Sequence, residues 1–271
     1  MATQTHPIRD RTSQVEESVG AMTHIDARQR LIVALDVESI DDARALVNEL
    51  DGLVSFYKIG LWLQLVAGVN DFVHELIKSG NRVFIDYKHF DVPETMRRAV
   101  ENAAAMGVSF LTVHGVGDIV AAAVEGRGTS DLKVLTVTVL TSLDAKDIND
   151  MGYECSVEEL VLHRARKASE AGCDGIIASG HEARAIRKKI GADLLIVTPG
   201  IRPEEDTTDD HKRAMSPAEA IAAGADYLVV GRPIWKASDR REKATKIVEE
   251  MQRAFDDSVS ESSHQAIRLV P

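Results

Sequence analysis

Short runs of Val, Ile and Leu, each closing on a polar residue, recur along this chain, separated by loops and by stretches of helical periodicity. The runs are LIVALD (31–36), VSFYKIG (54–60), RVFIDYK (82–88), SFLTVHG (109–115), KVLTVTVLTS (133–142), DGIIASG (174–180), DLLIVTPG (193–200) and YLVVGR (227–232). Their apolar residues are continuous rather than alternating, as in strands buried on both faces of a parallel sheet. Amphipathic segments lie between them. Ile40 to Leu50 sets Ala43, Leu46, Val47 and Leu50 on one face, and Pro93 to Met106 opens with Pro in its first turn. Val157 to Ala171 carries Leu160, Val161, Ala165 and Ala168 at helical spacing, and Pro217 to Ala223 and Glu242 to Phe255 close the series. Gly107, Gly172 and Gly224 stand where helices should stop. Eight such strand–helix units predict a (β/α)8 barrel. The structural alternative is a doubly wound sheet, but no G-x-G-x-x-G follows the first strand.

The hydrophobic fraction of the 271 residues is 44%, enough for a full core, and the formal net charge is −11. That charge repels phosphate backbones and argues against nucleic acid as a partner, while local cations can still hold a small anion. Cys155 and Cys173 are too few and too far apart for a zinc cluster or a disulfide framework, so both read as reduced and structural. No apolar run approaches the roughly 20 residues of a membrane helix. Met1 to Arg28 is polar and lacks an apolar signal core, which argues against secretion and for a cytoplasmic protein. The expected organisation is a polar, poorly ordered extension at 1–28, a catalytic barrel at 29–256 and a polar tail at 257–271.

In a barrel of this type, functional groups collect where strands end and βα loops begin. The strand ends offer Asp36, Lys58, Asp86 with Lys88, His114, Thr141 with Ser142, Ser179, Thr198, and Gly231 with Arg232. Charged groups inside apolar runs are costly to bury unless paired. The sharpest stretch is IDYKHFDVPET, residues 85–95. Asp86 and Lys88 are two apart on a strand, so their side chains should leave one face. With Lys58 and Asp36 from the preceding strands they would form an alternating array of acids and bases, a positioned proton donor. The plain alternative is a set of structural salt bridges at the rim. For Asp91 the alternative is stronger, because Asp91 and Glu94 have capping-box spacing before the helix at Pro93.

A second cluster follows the seventh and eighth strands: TPGIRPEEDTTDDHKR (198–213) and VVGRP (229–233). Barrels often bind phosphate there through Gly amides, and Arg matches phosphate oxygens in two-pronged fashion. Gly200 with Arg202, and Gly231 with Arg232, fit that pattern; rim arginines on acidic loops are the alternative. His89 and His114 have no partners at metal-ligand spacing, and His163 sits among basic residues of a helix surface. Trp62 and Trp235 read as packing groups and Arg184 to Lys189 as a charged helix face. No metal site emerges.

These residues together resemble the orotidine 5′-phosphate decarboxylase family. The resemblance rests on ALDV around Asp36, YKIG around Lys58, DYKHFDVPET from Asp86 to Thr95, VTVLTS ending at Ser142, TPGIR ending at Arg202 and VGRP around Arg232. It runs from about residue 31 to 250 and leaves both termini outside. It implies conversion of orotidine 5′-monophosphate to UMP and CO2, the last step of de novo pyrimidine synthesis, with no metal or organic cofactor. Lys88 would protonate C6 of the pyrimidine, Asp86 would face the substrate carboxylate, and Lys58 and Asp36 would complete the array and hold ribose hydroxyls. Thr141 and Ser142 would contact the base, and Arg202, Gly231 and Arg232 the phosphate. Asp91 and Thr95 would reach into a neighbouring subunit's site, making a homodimer. One departure is His211, which stands where such proteins usually carry a phosphate-gripping Gln.

Three other functions compete. A hexulose-phosphate synthase shares a D-x-K arrangement but needs a divalent metal and an acid where a lysine stands here. A Schiff-base aldolase would use Lys88 or Lys58 as a nucleophile, a poor role for an amine ringed by acids. A non-catalytic nucleotide-binding barrel has no need of four alternating charges.

Overall fold

The architecture follows from where each apolar run can be buried. In the computed structural model, residues 25–203 and 215–268 are described, with side chains described to residue 260. Eight parallel strands, β1 Leu31–Ala34, β2 Phe56–Gly60, β3 Arg82–His89, β4 Phe110–Val113, β5 Lys133–Val137, β6 Gly175–Ile177, β7 Leu195–Thr198 and β8 Tyr227–Val230, close into a barrel in sequence order. β1 completes the ring by pairing Leu31 with Leu228 and Val33 with Val230. This is the (β/α)8 barrel expected, and the doubly wound sheet is excluded by the closure.

Helices occupy the connections: α1 Ile40–Glu49, α2 Leu61–Gln64, α3 Val69–Lys78, α4 Pro93–Met106, α5 Asp118–Arg127, α6 Ala145–Asp150, α7 Val157–Glu170, α8 Gly180–Ile190, α9 Pro217–Ala222, α10 Arg232–Trp235 and α11 Arg240–Arg268. Ser39, Ser156 and Ser216 cap α1, α7 and α9 through their hydroxyls, and Ser156 and Ser216 form full capping boxes with Glu159 and Glu219. Helix α11 runs to Arg268, beyond the end at Phe255 that periodicity suggested. No described helix is long and apolar enough to cross a membrane. Both cysteines are free; burial pushes the Cys173 thiol up to about 11.

Strand parity sorts the buried side chains into two cores. Leu31, Val33, Tyr57, Ile59, Val83, Ile85, Leu111 and Val113 face outward and pack under the helices. Ile32, Ala34, Phe56, Phe84, Phe110, Leu135, Val137, Ile177, Val197, Tyr227 and Val229 fill the barrel interior. Phe110 centres the lower interior, edge-on to Phe56 at 4.9 Å, Tyr227 at 5.1 Å and Phe84 at 5.8 Å. Arg82 closes this end, its guanidinium 4.0 Å from the Phe56 ring centre.

Candidate active site

Two residues above each interior phenylalanine, the same face of the barrel turns polar. Phe56 is followed by Lys58, Phe84 by Asp86 and Phe110 by Thr112, while Asp36 lies two beyond Ala34. The side chains that share this level meet one another. Lys58 Nζ donates to Asp36 Oδ1 at 3.1 Å and lies 3.6 Å from Asp86 Oδ2. Lys88 Nζ donates to Asp86 Oδ1 at 2.9 Å. The Lys58 side chain is 10% exposed and that of Asp86 15%, so both charges are largely removed from water and depend on each other. Burial by itself would raise the Asp86 carboxyl; the charges of Lys58 and Lys88, with hydrogen bonds from Lys88 and Thr112, hold it below the usual carboxylate range.

Asp86 and Lys88 are joined, but not by strand alternation as the two-residue spacing suggested. Pairing with β4 passes from Ile85 opposite Leu111 directly to His89 opposite Val113, so β3 bulges between them. Within the bulge Lys88 adopts φ 52°, the left-handed region that β-carbon-bearing residues seldom enter. The bulge swings Lys88 back over Asp86. Its lost ladder bond is replaced by Thr112, whose Oγ1 accepts the Lys88 backbone N–H at 3.0 Å and donates to Asp86 Oδ1 at 2.9 Å. Thr112 is fully buried, and sequence reasoning passed over it. The available signal was parity: a hydroxyl two residues after Phe110 in an apolar strand.

Lys58, Asp86, Lys88 and Thr141 share a cavity of about 170 Å³, walled otherwise by apolar side chains including Phe84, Val137, Val139, Leu140, Ile177 and Val229, with Pro199. Asp36 joins the group through Lys58. Gly60 leaves room for them: a β-carbon there would sit 2.7 Å from Lys58 Nζ and 3.1 Å from Asp36 Oδ1. Gly231, directly after β8, also borders the group but less tightly, since a β-carbon there would lie 3.5 Å from Asp36 Oδ2, an ordinary contact.

Other predicted residues lie outside the walls of that cavity. Ser142 is exposed in the loop after β5, which ends at Val137 rather than at Ser142. Arg232 begins α10 directly after Gly231. Arg202 donates its backbone N–H to Met215 O at 3.0 Å and its guanidinium to Ile201 O at 2.7 Å, at the foot of the loop after β7. His211 lies outside the described residues. Asp91 does not cap α4: the N-cap is Val92, Asp91 Oδ1 accepts the Val92 N–H at 2.6 Å, and Glu94 is held by Arg97 and Arg98. The capping-box alternative for Asp91 is therefore overturned. Asp91 and Thr95 are exposed, on a rim that also exposes Phe90 and Val92.

The weaker candidates behave as structural groups. His89 Nδ1 lies 3.4 Å from Thr112 O, and His114 packs edge-on to Phe90. Burial first, then the charges of Arg164 and Lys88, lower the His114 pKa. His163 is exposed, and Trp62 and Trp235 pack on each other with ring centres 6.3 Å apart.

A closed (β/α)8 barrel with paired acids and ammonium groups at the carboxyl ends of its first three strands defines an enzyme built for charge-stabilised chemistry on a small molecule. The family model of orotidine 5′-phosphate decarboxylase and HUMPS proteins matches residues 29–247, and the chain belongs to this family. It is 57% identical over 229 residues to an orotidine 5′-phosphate decarboxylase of Nitrobacter winogradskyi, covering 84% of this chain and 95% of that one. To one of Rhodopseudomonas palustris it is 48% identical over 227 residues, covering 84% and 96%. Among solved structures, the orotidine 5′-phosphate decarboxylase of Lactobacillus acidophilus superposes with a TM-score of 0.72 at 33% identity, covering 82% of this chain and 99% of that one.

Proposed function

We propose that this protein decarboxylates orotidine 5′-monophosphate to UMP and CO2, the closing step of pyrimidine nucleotide synthesis, without a metal or organic cofactor. The observation that carries this is Lys88 Nζ, held 2.9 Å from Asp86 at the edge of the cavity. When the bond from C6 to the carboxylate breaks, its electron pair stays on C6 and neutral CO2 departs. The Lys88 ammonium lies beside the developing charge and then transfers one N–H proton to C6, giving UMP; solvent returns the proton to Lys88. Asp86, facing the substrate carboxylate, disfavours the bound reactant, a repulsion that ends with loss of CO2. The apolar wall of Val137, Val139, Ile177 and Val229 favours the uncharged product over the carboxylate.

Several features support the finer assignments. Asp36 and Lys58 hold ribose hydroxyls, a role supported by their link at 3.1 Å beside the cavity. Thr141 contacts the base from the cavity wall, with Ser142 following it. Arg202, Gly231 and Arg232, after β7 and β8, hold the phosphate, whose binding energy orders the reacting end; His211, outside the described residues, adds a further phosphate contact. The exposed Asp91 and Thr95, beside exposed Phe90 and Val92, support a homodimer in which each subunit completes its neighbour's site.

The family also includes metal-dependent HUMPS-type chemistry, and Lys58 speaks against that here: its ammonium fills the space between Asp36 and Asp86 where a cation would need ligands. The deciding assay is spectroscopic loss of orotidine 5′-monophosphate in excess EDTA. Full turnover is expected; inactivity, or activity abolished by chelation, sinks the proposal. Borohydride trapping should leave no adduct on Lys88. Arg232→Ala should raise KM about a hundredfold through lost phosphate contact. Mixing inactive Lys88→Ala with inactive Asp91→Ala subunits should restore part of the activity, and failure to do so removes the shared-site dimer.

A further inference from the structure

We infer that Thr112 is a positioning residue that fixes Lys88 and Asp86 relative to each other, an inference that rests on the proposed decarboxylation. Three residues of β3, Asp86 to Lys88, stand across from Thr112 alone because pairing passes from Ile85 opposite Leu111 to His89 opposite Val113. A bulge of that size strips backbone groups of ladder partners, and a buried N–H without an acceptor is costly. The Thr112 hydroxyl supplies the acceptor for Lys88 N–H at 3.0 Å. A hydroxyl has one proton to give, and here it goes to Asp86 Oδ1 at 2.9 Å. The same Oδ1 receives Lys88 Nζ at 2.9 Å. A closed ring results: Lys88 backbone to Thr112, Thr112 to Asp86, Asp86 to the Lys88 ammonium. It keeps Lys88 in its left-handed conformation, φ 52°, and turns Asp86 so that Oδ2 faces Lys58. Strand threonines elsewhere in the barrel differ. Thr136 and Thr198 are as buried, yet their hydroxyls have no hydrogen-bond partner among the described residues.

Thr112 is a positioning group rather than a catalytic one, because its only proton already belongs to Asp86. Valine has the same shape without the hydroxyl, so Thr112→Val breaks the ring and leaves the packing. The test measures kcat, KM and the pH profile for orotidine 5′-monophosphate in wild type, Thr112→Val and Thr112→Ser. For Thr112→Val, kcat should fall about tenfold or more while KM stays within about threefold. The acidic limb of its activity profile should move to higher pH, since the lost bond helped keep Asp86 ionised. Thr112→Ser, which keeps the hydroxyl, should recover to within about threefold of wild type. Equal kcat for wild type and Thr112→Val, a change confined to KM, or equal damage in the Val and Ser variants would each overturn the inference. If Thr112→Val does not fold, Thr112→Cys, with its weak donor, takes its place, and full kcat there overturns it. A wild type inert toward orotidine 5′-monophosphate would overturn the functional reading itself; an active wild type with an unimpaired Val variant overturns only the role of Thr112.

Discussion

The two ends of the barrel interior use the same strands for opposite purposes. At the lower end, Phe56, Phe84, Phe110 and Tyr227 interlock edge to face above Arg82, which closes the barrel floor. Two residues along each strand, on the order of 7 Å away, Lys58, Asp86 and Thr112 stand in the same columns and pack by charge and hydrogen bonding. The lower level is stabilised by non-directional burial, which tolerates some change of shape. The upper level depends on direction: each partner holds the next, and removing one exposes the others to an unfavourable buried charge. Stability should therefore concentrate below and activity above.

The sharpest test of that division is Lys88→Ala, for which kcat should fall by at least about 10³-fold. The folded state should change by only about 1–2 kcal/mol in urea unfolding, since Lys88 is the more exposed of the two ammonium groups, its side chain 31% exposed, and Asp86 keeps Lys58 and Thr112 as partners without it. Phe110→Ala should do the reverse. It should cost about 3–5 kcal/mol of unfolding free energy while kcat, assayed well below the melting temperature, stays within a few-fold of wild type. A large loss of kcat there would show that the aromatic level sets the geometry above it.

Gly60→Ala probes the upper level with a single methyl. Placed 2.7 Å from Lys58 Nζ, it must displace that ammonium and with it Asp36. A roughly tenfold or greater loss of kcat/KM should follow, read by steady-state kinetics beside an unfolding curve that barely moves. The smallest effect concerns pH. Asp86 is held below the ordinary carboxylate value of 3.8, so its contribution to stability is complete above that value and lost as pH falls through its lower folded value. His114, lowered from 6.5, adds a milder dependence of the same sign: its contribution is present above 6.5 and declines as pH drops toward the folded value. Unfolding measured across this range should show His114→Gln flattening the decline just below pH 6.5 and leaving the acid loss due to Asp86 in place.

Much of the framework was legible from residue pattern. All eight apolar runs became strands, and α4 spans Pro93–Met106 as its periodicity indicated. Helices α3 and α5 were passed over although Val69, Phe72, Val73 and Leu76 recur at helical spacing, and α5 is rich in small apolar residues with little polar contrast. At the site, Asp36, Lys58, Asp86 and Lys88 were recognisable because a charge inside an apolar run needs a partner. Thr112 was not, because a threonine in a strand is unremarkable until its neighbour across the sheet is known.

Order along the chain was enough to determine the barrel and the identity of the charged residues, because periodicity and the cost of burying charge act locally. Only the closed structure decided how those charges meet. The bulge in β3, the left-handed turn at Lys88 and the hydroxyl of Thr112 that sustains both depend on pairing between β3 and β4, a relation between residues some two dozen positions apart that no local pattern encodes.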